Sequence, residues 1–198
     1  MAIPEPRPTP VTLATLRRDI DGLDDALLDL IERRVAASAA VAALKDREGS
    51  GLLKLRPRRE AEVVDRLQRK ADGAPPEMIA HVWRTLMSYG VQAQTPMRLV
   101  VHAAGDRPVL QERVRARFGP AAELCWAADA DEALAAARDG EAVAILDEDG
   151  EAMAILGQDG ARADGSLRVF DTIPIPDGRR LHALGRVAPE DVVQGLAR

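Results

Sequence analysis

The stretch LLDLIERRVAASAAVAALK, Leu27 to Lys45, continues a 3-4 apolar repeat that begins at Leu13 and runs through Leu16, Ile20, Leu23, Leu27 and Leu30. The next seam position is Arg34, after which the repeat resumes as Ala37, Val41 and Leu44. The register survives the charge, so the arginine belongs to the stripe. From Thr12 to about Arg47 there is no proline and a single glycine, and the spacing predicts one helix of about 35 residues, roughly 53 Å long. A seam of that length needs an equally long partner, most simply the same helix of a second subunit.

The pattern on either side divides the chain. MAIPEPRPTP, with proline at every second position from Pro4 to Pro10, reads as an extended disordered arm over 1–11. After Glu48–Gly51, Pro57 opens a second helix to about Ala71, with Val63, Val64 and Leu67 on its apolar side. A third runs from about Pro76 to Gln94, with Ile79, Val82, Leu86 and Ala93 facing inward. The three helices make an all-α unit over 12–95, closed by dimerisation. From residue 97 the class changes to a small α/β domain reaching 198. Its strands are Leu99–His102, Leu124–Ala127 and Ala142–Leu146, alternating with helices Pro108–Phe118 and Asp131–Arg138. GEAVAILDEDG is then echoed by GEAMAILGQDG, as a hairpin or as a strand and helical turn. LRVFDTIPI and RLHALGRV flank PDGR as a hairpin, and PEDVVQGLA reads as a terminal helix. The fold class is therefore multidomain, α followed by α/β.

Composition narrows the function. Aromatic residues are 3% of the 198, too few for a base-stacking platform. The single Cys125 rules out an intrachain disulfide framework and fits a reducing, cytoplasmic compartment. No apolar run approaches the ~20 residues that span a bilayer. Net charge is −5, unevenly shared: through Pro96 there are 15 Lys and Arg against 14 Asp and Glu, whereas the remainder has 12 against 18. Lys45 to Lys70 carries nine basic and five acidic residues, enough to attract a small anion and too little for a nucleic-acid tract. No metal-ligand spacing, GxSxG, P-loop or GxGxxG is present, and His81, His102 and His182 are scattered. No cofactor is expected.

Arg34 has two readings: a snorkelling arginine whose head meets a partner's carboxylate, or an anion clamp inside the bundle. Lys45 lies eleven residues on, three helical turns, so it projects from nearly the same face, with small side chains between the two cations. Arg17 is about 25 Å from Arg34 along the axis and pairs with Asp21 or is brought to the pocket by an antiparallel partner. Arg59 and Glu60, in LRPRREAEVV, sit in the first turn of the second helix, and Gln94 ends the third.

LATLRRDIDGLDDALLDLIERR, a lysine eleven residues after Arg34, RPRREAEVV and a last helix ending in glutamine resemble the all-α chorismate mutase family, over about Leu13 to Gln94. The nearest likeness is to mutase modules fused to prephenate dehydratase. The resemblance implies a homodimer with intertwined first helices and two shared sites that convert chorismate to prephenate. Arg17 resembles the arginine donated across the dimer, Arg34 the one holding a substrate carboxylate, and Lys45 the lysine on the ether oxygen. Gln94 resembles the polar group on the ether's other side, and Arg59 and Glu60 the pair whose glutamate takes a substrate hydroxyl. Arg56 stands where some members have aspartate, and Gly90 where some have serine. The second half resembles the opening β-α-β portion of the dehydratase catalytic domain, cut down to one lobe. The rival expectations are an isochorismate pyruvate-lyase with a similar cationic pocket, and a non-catalytic subunit that senses a metabolite.

Overall fold

The computed structural model describes residues 12–45, 52–147 and 167–192. The expected N-terminal arm, the second copy of the echoed GEA segment and the end of the chain lie outside them. The chain forms two compact units, Met1–Val41 and Ala42–Arg198.

Helix α1, Leu13–Lys45, is continuous over 33 residues, as the apolar repeat requires. Its start is fixed by Thr12 and Thr15: the Thr15 amide donates to Thr12 Oγ1 at 3.1 Å, and the Thr12 amide donates to Thr15 Oγ1 at 2.8 Å. This is a hydroxyl cap on a helix start that has no acidic first turn. The seam residues are open to solvent in the single chain, with Leu23 69% and Leu30 57% exposed.

In the second unit, α2 (Pro57–Lys70) and α3 (Pro76–Gln94) each begin on proline, whose fixed φ suits a first helical turn. Val64 is buried on α2. On α3 the inward face is Ile79, Ala80, Ser88 and Val91. Ala93, expected inside, is exposed, because the helix turns Val91 rather than Ala93 onto the sheet.

The α/β part follows the expected succession: β1 (Arg98–His102), α4 (Arg107–Phe118), β2 (Glu123–Trp126), α5 (Ala130–Arg138) and β3 (Ala142–Asp147). β4 (Arg168–Pro174) and β5 (Arg180–Gly185) form the hairpin predicted around PDGR. The five strands lie in the order β2-β1-β3-β5-β4, the first three parallel and the hairpin antiparallel. Alternation along the strands separates two cores. Leu99, Val101, Val143 and Ile145 point to the face covered by Leu110, Val114 and Phe118 of α4. Val100, Ala144 and Leu146 point to the other face, against Ala133, Leu134 and Ala137 of α5.

The first of these cores also takes Leu53, Leu55 and Val91, so the segment before α2 and the end of α3 pack on the sheet alongside α4. The Leu53 amide donates to the Arg186 carbonyl at 2.8 Å. Gly185 makes room for this contact, since a Cβ there would lie 2.7 Å from Leu53 Cδ1. The expected terminal helix at PEDVVQGLA begins only as a 3-10 turn, Pro189–Asp191, and Val192 is already extended at ψ 132°. Proline favours the first turn there, but the helix does not propagate beyond it within the described residues.

Candidate functional site

The residues expected to bind substrate fall on both units. Arg17 is exposed on α1. Arg34 is half-buried on the same helix, and burial alone lowers its guanidinium pKa below the ordinary arginine value. Lys45 is the last residue of α1, so the helix backbone is unbroken from Arg34 to Lys45.

The remaining candidates belong to the second unit. Arg59 points outward, 67% exposed at its side chain, and lies 3.6 Å from Glu62. Arg56 turns away from it to pair with Asp191 of the 3-10 turn at 2.8 Å. Gln94 folds back on its own helix, Nε2 donating to the Gly90 carbonyl at 2.9 Å. Glycine at 90 leaves no side chain on that turn to compete for the amide.

Glu60 is largely enclosed. In the first turn of α2 its carboxylate gains from the helix N-terminus. It also accepts a hydrogen bond from Arg117 Nη1 of α4 at 3.1 Å. Arg117 Nε donates in addition to Asp171 of β4. The side chains of Glu60, Arg117 and Asp171 are 13%, 12% and 11% exposed, so this is a largely buried triad in which one guanidinium serves two carboxylates. Burial opposes the charge on Arg117, but attraction first from Glu60 and then from Asp171, with hydrogen bonds to both, outweighs it and raises the pKa.

Three local features bring the triad together. β4 carries a register shift between Val169 and Asp171, so that Phe170 and Asp171 both lie toward the α4 face. The Arg117 guanidinium stacks 5.1 Å from the ring of Phe118, which in turn meets Phe170 edge-on at 6.2 Å. At the end of α4, Gly119 adopts φ +76°, and a Cβ there would lie 2.6 Å from Ser88 Cβ and 3.0 Å from the Arg84 carbonyl. Only glycine allows α4 to approach α3 this closely, and the approach sets Arg84 beside Arg117.

The triad forms one wall of a cavity of ≈ 400 Å³, lined also by Arg84 of α3 and Arg113 of α4. Neither of these arginines, nor Arg117 or Asp171, is legible as a site residue in sequence. The one signal is the i, i+4 spacing of Arg113 and Arg117 in ERVRARF, which an exposed helix face shows equally well.

At the carboxyl ends of β1 and β3, the crevice between the two strands is bridged by the chain itself. Arg179 donates to Asp147 Oδ1 at 2.9 Å and to the Ala104 carbonyl at 2.8 Å. That crevice is where a doubly wound sheet would hold a nucleotide. Among the described residues no helix is long and apolar enough to cross a membrane. No cluster of three potential metal ligands occurs there either.

Residues 16–95 match the family described as chorismate mutase type II. Over 77 residues the chain is 38% identical to T-protein of Enterobacter agglomerans, a match covering 38% of this chain. The chain spans about a fifth of T-protein, 20% of its length. No solved structure matches the chain significantly. The family match takes in α2, α3 and nearly all of α1, and stops where β1 begins. Over residues 16–95, then, this chain is similar to the chorismate mutase type II family.

Proposed function

We propose that the protein is a chorismate mutase, an isomerase that rearranges chorismate to prephenate in aromatic amino acid biosynthesis. The observation that carries the reading is the family match over 16–95 together with Arg34 and Lys45 set three turns apart on one unbroken helix.

Chorismate is a dianion, and its conversion is a unimolecular Claisen rearrangement that needs no nucleophile and no proton shuttle. A protein accelerates such a step by holding the enolpyruvyl arm over the ring and by stabilising the negative charge that grows on the ether oxygen. In this reading Arg34 grips one carboxylate in bidentate fashion, and its partial burial strengthens that grip. Lys45 supplies a point charge at the ether oxygen. Gln94 gives up its bond to the Gly90 carbonyl to donate on the ether's other side. Glu60 uses Oε2 for Arg117, which leaves Oε1 to accept the substrate hydroxyl, and Arg59 flanks it. Arg56, committed to Asp191, and Gly90 tune the pocket's edge.

Arg17 enters from a second copy of the chain. The apolar stripe of α1 supports this, because roughly 25 Å of exposed leucine and isoleucine from Leu13 to Leu30 is costly unless covered. The functional modules are then 12–95, the dimeric mutase, and 97–198, a single α/β lobe similar to part of prephenate dehydratase and without that activity. The setting is cytoplasmic.

The deciding experiment is chorismate consumption by the purified protein, with isochorismate in parallel. Turnover of chorismate that Lys45→Ala abolishes while the protein stays folded supports the proposal. Preference for isochorismate with release of pyruvate replaces it with a lyase, and no turnover of either makes the chain a sensor. Phenylpyruvate formed from prephenate would refute the inactive-lobe reading.

A further inference from the structure

We infer that the cavity between α2, α3, α4 and β4 is a binding site for a small organic monocarboxylate with a compact apolar body. The site uses only groups of the second unit; of the residues in the mutase reading it shares Glu60 alone, through the ion pair with Arg117, and it involves neither Arg34 nor Lys45.

The charge balance of the walls carries it. Three arginines, Arg84, Arg113 and Arg117, face two carboxylates, Glu60 and Asp171. Both carboxylates are taken by Arg117. The cavity is left with a surplus of one positive charge and with two guanidinium groups that neither carboxylate engages. Arg84 is half-buried, and its Nη1 makes a long bond, 3.4 Å, to the Ala116 carbonyl. Desolvation, then repulsion from Arg117, lower its pKa, and attraction from Asp171 and Glu60 offsets this in part. A guanidinium held out of water beside another cation is stabilised by an anion placed against it. Arg113 stands exposed on α4, one turn before Arg117, and completes a two-armed rim.

The remaining walls define the body of the guest. Ala61, Ala116, Ile173 and Pro174 offer small apolar surfaces, with Thr172 among them. A volume of ≈ 400 Å³ lies toward the lower end of the roughly 300 to 1,000 Å³ usual for small-molecule sites. One surplus charge, planar fork donors and an apolar floor suit a single carboxylate on a small ring or branched chain better than a phosphate. The site is built jointly by helices inside the mutase match and by α4 and β4 outside it, so a guest there touches the helix that carries Glu60.

The test is calorimetric titration of the full-length protein with benzoate, with neutral benzamide and inorganic phosphate as comparison arms. The expected result is benzoate binding with Kd of about 1 mM or tighter, and at least about tenfold weaker binding of benzamide and phosphate. Arg84→Gln and Arg113→Gln should each weaken benzoate by about tenfold, the loss of one charge-assisted contact. Arg113 is exposed, so its variant keeps the test valid if Arg84→Gln fails to fold. Arg34→Ala should leave benzoate binding unchanged. Absence of benzoate binding, phosphate or benzamide binding as tightly, unaltered binding in Arg113→Gln, or loss of binding in Arg34→Ala would each overturn the assignment.

Discussion

Glu60 and Arg117, separated by 57 positions in sequence, form a largely buried ion pair at 3.1 Å that ties the first turn of α2 to the end of α4. Because Arg117 serves Asp171 as well, its removal strands two carboxylates out of water. Arg117→Met should therefore lose about 3 to 5 kcal/mol of stability, seen as a lower midpoint in urea unfolding. The triple change Glu60→Gln, Arg117→Met, Asp171→Asn should recover much of that loss, since the uncompensated charges are gone. A wild-type midpoint for Arg117→Met alone would show that the triad contributes nothing.

The proposed mutase chemistry separates electrostatic stabilisation from positioning. Lys45→Ala should lower kcat by about 10²- to 10³-fold, the usual cost of removing a donor aimed at developing charge. Arg34→Ala should act mainly through KM, because a carboxylate grip is made equally in the ground and transition states. Glu60→Gln, which keeps shape and removes charge, should weaken both Arg117 binding and the grip on a substrate hydroxyl. Steady-state kinetics on chorismate resolves the three.

The exposed stripe of α1 bears on assembly. Leu23→Asp combined with Leu27→Asp should convert a dimer to a monomer in sedimentation velocity, because both residues sit at the centre of the seam at 69% and 53% exposure. If Arg17 is donated across the dimer, the monomer should lose turnover in parallel. A monomeric wild type would end the shared-site proposal.

Two glycines with positive φ should respond differently to alanine. Gly73, at φ +92°, has nothing within 4 Å of where a Cβ would stand, so Gly73→Ala should cost only backbone strain, about 1 to 2 kcal/mol. Gly119→Ala meets Ser88 as well and should cost about 1 to 3 kcal/mol more from overpacking. Thermal unfolding of the two variants makes the comparison.

Cys125 on β2 has its thiol pKa raised by burial first and then by the negative charge and hydrogen bonding of Glu123, against a lowering by Arg98. A raised pKa means less thiolate at any given pH below it. Alkylation by iodoacetamide at pH 8 should accordingly be slower than for an unfolded chain, and Glu123→Gln should speed it by lowering the pKa. Equal rates for wild type and variant would remove Glu123 from the account.

Much of the architecture is written locally. The 3-4 repeat specifies α1 because a helix returns to the same face every three or four residues, and neither Arg34 nor Gly22 breaks that phase. Pro57 and Pro76 announce helix starts by their fixed φ, and PDGR announces the β4–β5 hairpin. Arg34 and Lys45 are legible as a pair from their spacing on one helix, whereas Arg59, Glu60 and Gln94 join them only through the resemblance to the chorismate mutase family.

Tertiary structure decided what those residues meet. That Arg117 would be shared by Glu60 and Asp171 depends on a bulge in β4 and on a glycine at 119 that lets two helices touch, and neither has a local signature. Arg84 and Arg113 read as ordinary surface cations until chain segments far apart in sequence close a cavity around them. Periodicity fixes which way a side chain faces along its own element, whereas ion pairing and burial depend on which other element arrives opposite. The first is a property of short segments and can be read from residue order; the second exists only once the sheet and its helices have packed.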